Sequence, residues 1–260
     1  MNKLVSTITF SKKRENLLLF LIDGPKTLED IRISLNVTSS GMIPQIRKLE
    51  EQNLVWREGK MYSLTDTGTV IAEMFNSFVK TIDIIEKYTD FWESHDINAI
   101  PHHLLKRLYE LGNCNLVESR PENIYEPHRE FLENILSSNK LRGVSPIFHP
   151  IYPSFFTQLS EKGKDVSLVL TRDVFRKVEK EYGPELARIL NLKNGRLYVC
   201  DEDIKLAFVT TDVFFSMSLF FKDGAFDTKK DMVSFDISAI SWGEELFNYY
   251  KERSEEITSL

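Results

Sequence analysis

Residues 39–50 read Ser39-Ser40-Gly41-Met42-Ile43-Pro44-Gln45-Ile46-Arg47-Lys48-Leu49-Glu50. Met42, Ile46, Leu49 and Asn53 recur at spacings of four, three and four, which predicts a helix with one buried stripe. The opposite face carries Ser40, Pro44 and Arg47, flanked by Ser39, Ile43, Gln45 and Lys48. A proline inside this pattern needs a reason. The first four N–H groups of a helix have no partner within it, so a proline in or just past the first turn loses at most one hydrogen bond. Pro44 therefore predicts a helix that begins near Ser40, with Ser40 as its cap. Thr38, Ser39, Ser40 and the free N–H groups then face outward, a disposition suited to phosphate.

The flanking sequence turns this helix into a fold. Ser11 stands as an N-cap before residues 12–22, and Gly24-Pro25 ends that helix. Thr27 caps residues 28–35, and Thr27 with Asp30 has the spacing of a capping box. Asn36-Val37-Thr38 is a short polar turn. Beyond Gln52, residues 54–65 form two extended runs around Glu58-Gly59-Lys60, a hairpin with a basic tip. Helix, helix, turn, helix and hairpin within residues 1–65 is the plan of a winged helix-turn-helix. The expected nucleic-acid contacts are Thr38, Ser39, Ser40, Ile43, Gln45, Arg47 and Lys48 on the third helix, with Arg57 and Lys60 on the wing. A winged helix that docks protein instead is the runner-up for this region.

Charge supports the division. Residues 1–65 hold ten Lys/Arg against seven Asp/Glu, a net of +3, whereas residues 66–260 hold 23 against 32, a net of −9 within the total of −6. A basic head on an acidic body fits a head that touches phosphate and a body that does not.

Residues 66–95 are expected to form one long connecting helix. Ile71, Phe75, Phe78, Ile82, Ile85, Thr89 and Trp92 alternate by four and three, a seam suited to pairing two chains as a homodimer. Residues 96–260 read as mixed α/β, with strand patterns at 115–119, 141–150, 164–171, 195–201, 205–211, 214–221 and 232–237 between helical ones. The runs 195–201 and 205–211 are expected as hairpin neighbours. Helices are expected over 101–112, 127–139, 153–163, in two pieces over 172–192, and from 238 through Ile257.

Several kinds of chemistry are disfavoured. The longest apolar runs fall short of a membrane span, and the opening residues lack a signal-peptide pattern, so a cytoplasmic protein without membrane contact is expected. Cys114 and Cys200 are too few for a disulfide framework or a four-thiolate zinc site. Cys114 has no nearby basic residue in sequence to activate it. No glycine-rich phosphate loop, nucleophile elbow or paired-histidine metal motif occurs, and His102-His103 are adjacent rather than four apart. No cofactor or metal is expected. The ends of strands at 145–149, 171–173 and 210–212 carry polar groups, which nominates His149, Thr171, Arg172, Thr210 and Asp212 as contacts for a small molecule.

The chain resembles archaeal winged-helix transcription regulators, with an ArsR-like head and the C-terminal sensor domain found in methanogenesis regulatory proteins. The stretches that carry the resemblance are residues 39–55, 100–119, 142–150, 163–171, 214–227 and 234–250. The resemblance implies a homodimer on double-stranded DNA that regulates genes of methanogenesis or carbon metabolism in response to a small-molecule effector or a partner. It also implies a sensor domain like a catalytically degenerate phospholipase-D-like regulatory domain. Such enzymes use an H-x-K pair, and His149-Pro150-Ile151 lacks the lysine. The head lacks the cysteines often seen in ArsR-like metal sensors. A regulator rather than an enzyme is the expectation. The alternative is a phosphodiester hydrolase-like body fused to a docking winged helix.

Overall fold

The computed structural model describes residues 3–119 and 129–259. The chain divides into two compact units, Met1–Ile82 and Asp83–Leu260.

The first unit contains α1 (Lys3–Thr9), α2 (Lys12–Phe20), β1 (Lys26–Thr27), α3 (Leu28–Leu35), α4 (Ser39–Glu50), β2 (Val55–Glu58), β3 (Met61–Leu64) and the first part of α5 (Asp66–Lys87). Its three strands lie in the order β1-β3-β2, and β2 and β3 form an antiparallel hairpin in which Glu58 pairs with Met61. Gly59, at φ +59°, takes the left-handed position of the two-residue turn. The capping box is present: the Asp30 N–H donates to Thr27 Oγ1 at 3.1 Å and the Thr27 N–H to Asp30 Oδ2 at 2.8 Å. Leu17, Leu18, Ile31, Met42, Ile46, Leu49 and Leu54 close one core.

Three details differ from the sequence expectation. The cap of α4 is Thr38 rather than Ser40, because extended backbone at Thr38 brings its hydroxyl to the Gly41 N–H at 3.2 Å. Pro44 is therefore the sixth residue of α4, and the Ser40 carbonyl lacks its helical donor. Asn53 leaves the stripe: the helix has ended at Glu50, Asn53 is exposed at φ +53°, and Leu54 takes the buried position. The expected 66–95 helix stops at Lys87, because Tyr88 departs from helical geometry (φ −130°, ψ 41°). Along α5, Ala72 is buried and Ile71 and Phe75 pack on the head's core, whereas Val70, Met74 and Phe78 stand outward at 57, 68 and 58% exposure. The exposed apolar face thus only partly coincides with the expected seam: Phe78 and Ile85 of that seam are exposed, whereas Ile71 and Phe75 turn to the core.

The second unit follows with α6 (Thr89–Ser94), α7 (His102–Leu105), β4 (Asn115–Glu118), α8 (Arg129–Ser137), β5 (Lys140–Ser145), α9 (Tyr152–Glu161), β6 (Asp165–Thr171), α10 (Arg172–Leu190), β7 (Gly195–Cys200), β8 (Leu206–Thr211), β9 (Phe215–Leu219), β10 (Lys230–Ser234), α11 (Ile237–Lys251) and β11 (Ser254–Ile257). Among the described residues the sheet has eight strands in the order β11-β7-β6-β5-β8-β9-β10-β4. Only β5, β6 and β7 run parallel. Leu246, Trp242 and Phe247 of α11 cover one face, and α9 and α10 pack with the other.

β7 and β8 are not hairpin neighbours. β6 already lies between β5 and β7, so the chain crosses over and β8 pairs antiparallel with the free side of β5. The final helix ends at Lys251, and Ser254–Ile257 becomes β11, which pairs antiparallel with the otherwise open edge of β7. The helix expected over 101–112 is α7 followed by a 3-10 turn at Leu108–Leu111. α10 bends at Tyr182, two residues before Pro184, into the two expected pieces. Of the helix expected over 127–139, Pro127 and His128 lie outside the described residues.

Candidate functional site

The head presents a groove of about 550 Å³ between α3, α4 and the wing. Ser39, Ile43 and Arg47 of α4 meet Arg57 and Lys60 of the wing there, joined by Arg32 of α3. Arg57 Nε donates to the Gly59 carbonyl at 2.8 Å, and its guanidinium lies 5.4 Å from the centre of the Tyr62 ring. The wing tip is thus braced by its own arginine. Arg32 is ion-paired with Glu29 one helical turn away. Arg47 and Lys48 are exposed on α4.

Thr38, Ser40 and Lys48 lie outside the groove, and the first two frame the N-terminus of α4. Thr38 Oγ1 and Ser40 Oγ are 3.4 Å apart. A Cβ at Gly41 would come within 2.9 Å of Lys13 Nζ and 3.1 Å of Thr38 Oγ1, so the helix start, two hydroxyls and an ammonium converge on one spot. Neither Lys13 nor Arg32 is among the residues expected from sequence. Each lies in a helix whose partner faces are set only by tertiary packing.

Gln45 is placed differently from the other candidates. Its Oε1 accepts from Arg14 at 2.6 Å and from the Ser11 hydroxyl at 3.4 Å, and Arg14, 7% exposed, also donates to the Thr7 carbonyl. Gln45 satisfies a buried guanidinium and ties α4 to the chain before α2. The sequence gives no local signal for this role, since Arg14 stands in the charged run Lys12-Lys13-Arg14-Glu15 that opens α2.

The body holds a mostly apolar cavity of about 700 Å³ on the α9 and α10 side of the sheet. It lies beside the C-terminal end of β5, and His149 lines it. The Ile151 N–H donates to His149 Nδ1 at 3.3 Å, and the imidazole lies 4.8 Å from the Tyr152 ring. Burial, with Asp231 nearby, pushes the Tyr152 phenol up to about 12, which keeps it protonated and able to donate.

The other expected ligand contacts do not join His149. Arg172 is held by Asp201 at 2.8 and 3.0 Å and by Glu255 at 3.3 Å. Thr171, beside it, stands at the N-cap position of α10 without a capping bond from its side chain. Thr210 is buried and donates to the Ile240 carbonyl at 3.1 Å. Asp212 accepts from the Asn139 N–H at 2.9 Å and the Lys140 N–H at 3.3 Å. For Thr210 and Asp212 the reason is strand direction. β8 runs antiparallel to β5, with Thr211 opposite Leu141, so its C-terminal end lies at the start of β5 and not beside Ser145. Burial works to raise the Asp212 carboxyl, but those backbone donors outweigh it and hold it below the ordinary 3.8.

Cys114 and Cys200 are both buried and free. Burial pushes the Cys114 thiol up, although Lys87 lies close enough for its ammonium to reach the Cys114 carbonyl at 3.0 Å. Among the described residues, no group of three or more His, Cys, Asp or Glu is placed to hold a metal ion, and no helix is long and apolar enough to cross a membrane.

A helical head with a three-stranded sheet and a basic wing, followed by a mixed α/β unit, defines the class of winged-helix proteins with an appended α/β domain. The chain belongs to the methanogenesis regulatory protein FilR1 family: residues 2–83 match the FilR1 N-terminal domain and residues 124–253 its middle domain. It is 31% identical over 264 residues to methanogenesis regulatory protein FilR1 of Methanothrix harundinacea, an alignment covering 99% of this chain and 58% of that protein. The chain thus spans little more than half the length of that relative. It is 28% identical over 102 residues to the HTH-type transcriptional activator ArnR1 of Sulfolobus acidocaldarius, covering 38% of each. Among solved structures it is similar to the archaeal chromatin protein TrmBL2 (TM-score 0.44, 13% identity, 92% of this chain and 91% of that one). It is also similar to the phospholipase D family member Nuc of Salmonella typhimurium (TM-score 0.40, 14% identity, 56% of this chain and 98% of that one).

Proposed function

We propose that this chain is a transcription regulator of archaeal type that binds double-stranded DNA through its head and acts on genes of methanogenesis or carbon metabolism in the cytoplasm. The observation that carries this reading is the head groove, where cations of α3, α4 and the wing meet, in a chain of the FilR1 family. α4 enters the major groove with Arg47 and Ile43 toward base edges. Ser39, Ser40, Thr38 and Lys48 serve phosphates around the helix start, and Arg57 and Lys60 of the wing hold the backbone. Lys13 joins the phosphate contacts. Gln45 acts at one remove, by fixing α4 through Arg14.

The regulator works as a homodimer, with Val70, Met74 and Phe78 of α5 meeting their counterparts in a second copy. An apolar row of that size on a free helix favours covering, at roughly 1.5–3 kcal/mol for each side chain fully buried. The body is the sensor. It has no catalytic role, and its cavity, with His149 at the rim, receives an effector whose binding alters the affinity of the heads for DNA. The test is a titration of the purified chain against DNA from its own upstream region at several salt concentrations. Saturable binding with a sequence preference and two chains per site is the expected result. Equal, weak binding to every sequence would overturn the reading.

A further inference from the structure

Close-packed interiors hold few voids larger than a water molecule, whereas ligand pockets run to roughly 300–1,000 Å³. The body cavity, at about 700 Å³, belongs to the second group. Its origin can be traced to the sequence. Along β9, Phe215, Met217 and Leu219 point into the core beneath α11, while the alternate residues Ser216 and Ser218 face the other way and line the cavity. Their neighbours across the sheet are small as well: Ala207 sits opposite Ser218, and Gly143 sits opposite Val209, itself opposite Ser216. A Cβ at Gly143 would already stand 3.0 Å from Leu168 Cδ2. Small residues on β5, β8 and β9 therefore hollow out one face of a sheet whose opposite face is filled with large apolar side chains.

The lining has two ends of different chemistry. Under α9 and α10 it is mostly hydrocarbon and aromatic, with Thr157 and His149 as polar exceptions. Over β9 and β10 it carries hydroxyls and two carboxylates, both engaged: Ser218 Oγ donates to Asp231, and Asp227 Oδ2 lies 3.1 Å from His95 Nε2. Among the described lining residues there is no Lys or Arg. His149 is the one basic side chain among those described lining residues, so they offer an anion little counter-charge for the hydration it would lose on entering.

We infer that this cavity binds one uncharged, mostly apolar small molecule whose single polar end, a hydroxyl or amide, lies on the serine and carboxylate side of β9 and β10. The inference deepens the sensor reading above and rests on it for its regulatory meaning, but the binding chemistry stands on the cavity alone. It departs from a sugar or phosphate effector, which would ask for polar groups all round or for a cation.

The experiment uses the whole chain and two fluorescent probes of similar shape, neutral N-phenyl-1-naphthylamine and its sulfonated analogue 8-anilino-1-naphthalenesulfonate. The neutral probe is expected to bind saturably, one per chain, with blue-shifted emission, and at least tenfold more tightly than the sulfonate. Ala207→Phe and, independently, Ser216→Met fill the floor from adjacent strands. Each is expected to weaken the neutral probe at least tenfold while holding or raising the Tm, since it occupies space instead of displacing packed atoms. Absence of saturable binding, equal affinity for the sulfonate, or full affinity in folded forms of both variants would overturn the assignment. If a variant fails to fold, the ratio of the two probes on the unmodified chain still decides. DNA affinity is measured separately with and without saturating probe. A bound probe that leaves DNA affinity unchanged keeps the ligand class and removes the effector role.

Discussion

Arg47 and Lys60 lie in one groove but do different work in the proposed complex. Arg47→Ala should weaken binding to the preferred operator by about 1–3 kcal/mol and relax specificity at one position, as a lost base contact does. Lys60→Ala should weaken all sequences alike and reduce the slope of affinity against salt by about one. Competition binding at three or four salt concentrations separates the two. Asp212 offers a test in the body. Its carboxyl is held below its ordinary value when folded, so its stabilising effect is fully present above about pH 3.8 and is lost as pH falls through the folded value. Asp212→Asn should lower the Tm at pH 7, and its difference from the unmodified chain should shrink toward pH 3. The sequence makes some residues legible and hides others for a physical reason. Thr27 and Asp30 can be paired by eye because their bond spans three residues. Gln45 with Arg14 spans 31 and Asp212 with Asn139 spans 73, so the sequence nominates both as binding contacts while the packed chain gives them structural partners.

Elements show the same division between local and distant causes. α4 is readable because its buried stripe, its outward face and its proline are all properties of one turn-by-turn pattern. The direction of β8 is not, since nothing within residues 206–211 says which side of β5 is free. The two candidate sets fare accordingly: Ser39, Ile43, Arg47, Arg57 and Lys60 share one groove, whereas Thr210 and Asp212 lie at the far end of the sheet from His149. α5 carries its own prediction. With Met74 and Phe78 at 68 and 58% exposure, Met74→Glu with Phe78→Glu should leave each unit folded and shift the mass seen by light scattering from two chains to one. Operator affinity should fall in parallel, since a single head then binds without its partner. Unchanged mass in the double variant would remove this face from the dimer.

At the scale of the whole chain, the two units have separate cores, one built on Leu17, Leu18, Ile31, Met42, Ile46 and Leu49 and the other on the large sheet. Leu49 is fully buried, so Leu49→Ala should cost its unit about 2–5 kcal/mol. Calorimetry is expected to show the transition of the head move down while that of the body stays. A single transition that shifts as one would mean that the units unfold together. The charge split between residues 1–65 and 66–260 makes this organisation legible from composition, because composition averages over whole units and does not depend on which strand pairs with which. The last strand bears on a different property. An open sheet ends in two rows of unpaired backbone groups, and such rows recruit other chains into aggregates. β11 places Glu255 and Glu256 along one boundary, and Glu118 stands on β4 at the other. Charged side chains along an edge make it a poor template for another strand, so crowding of these molecules during synthesis should not drive them to add strand to strand. Colloidal stability is thereby written into the rim of the sheet, and Glu255→Val with Glu256→Val should surrender it as visible turbidity at concentrations where the unmodified chain stays clear.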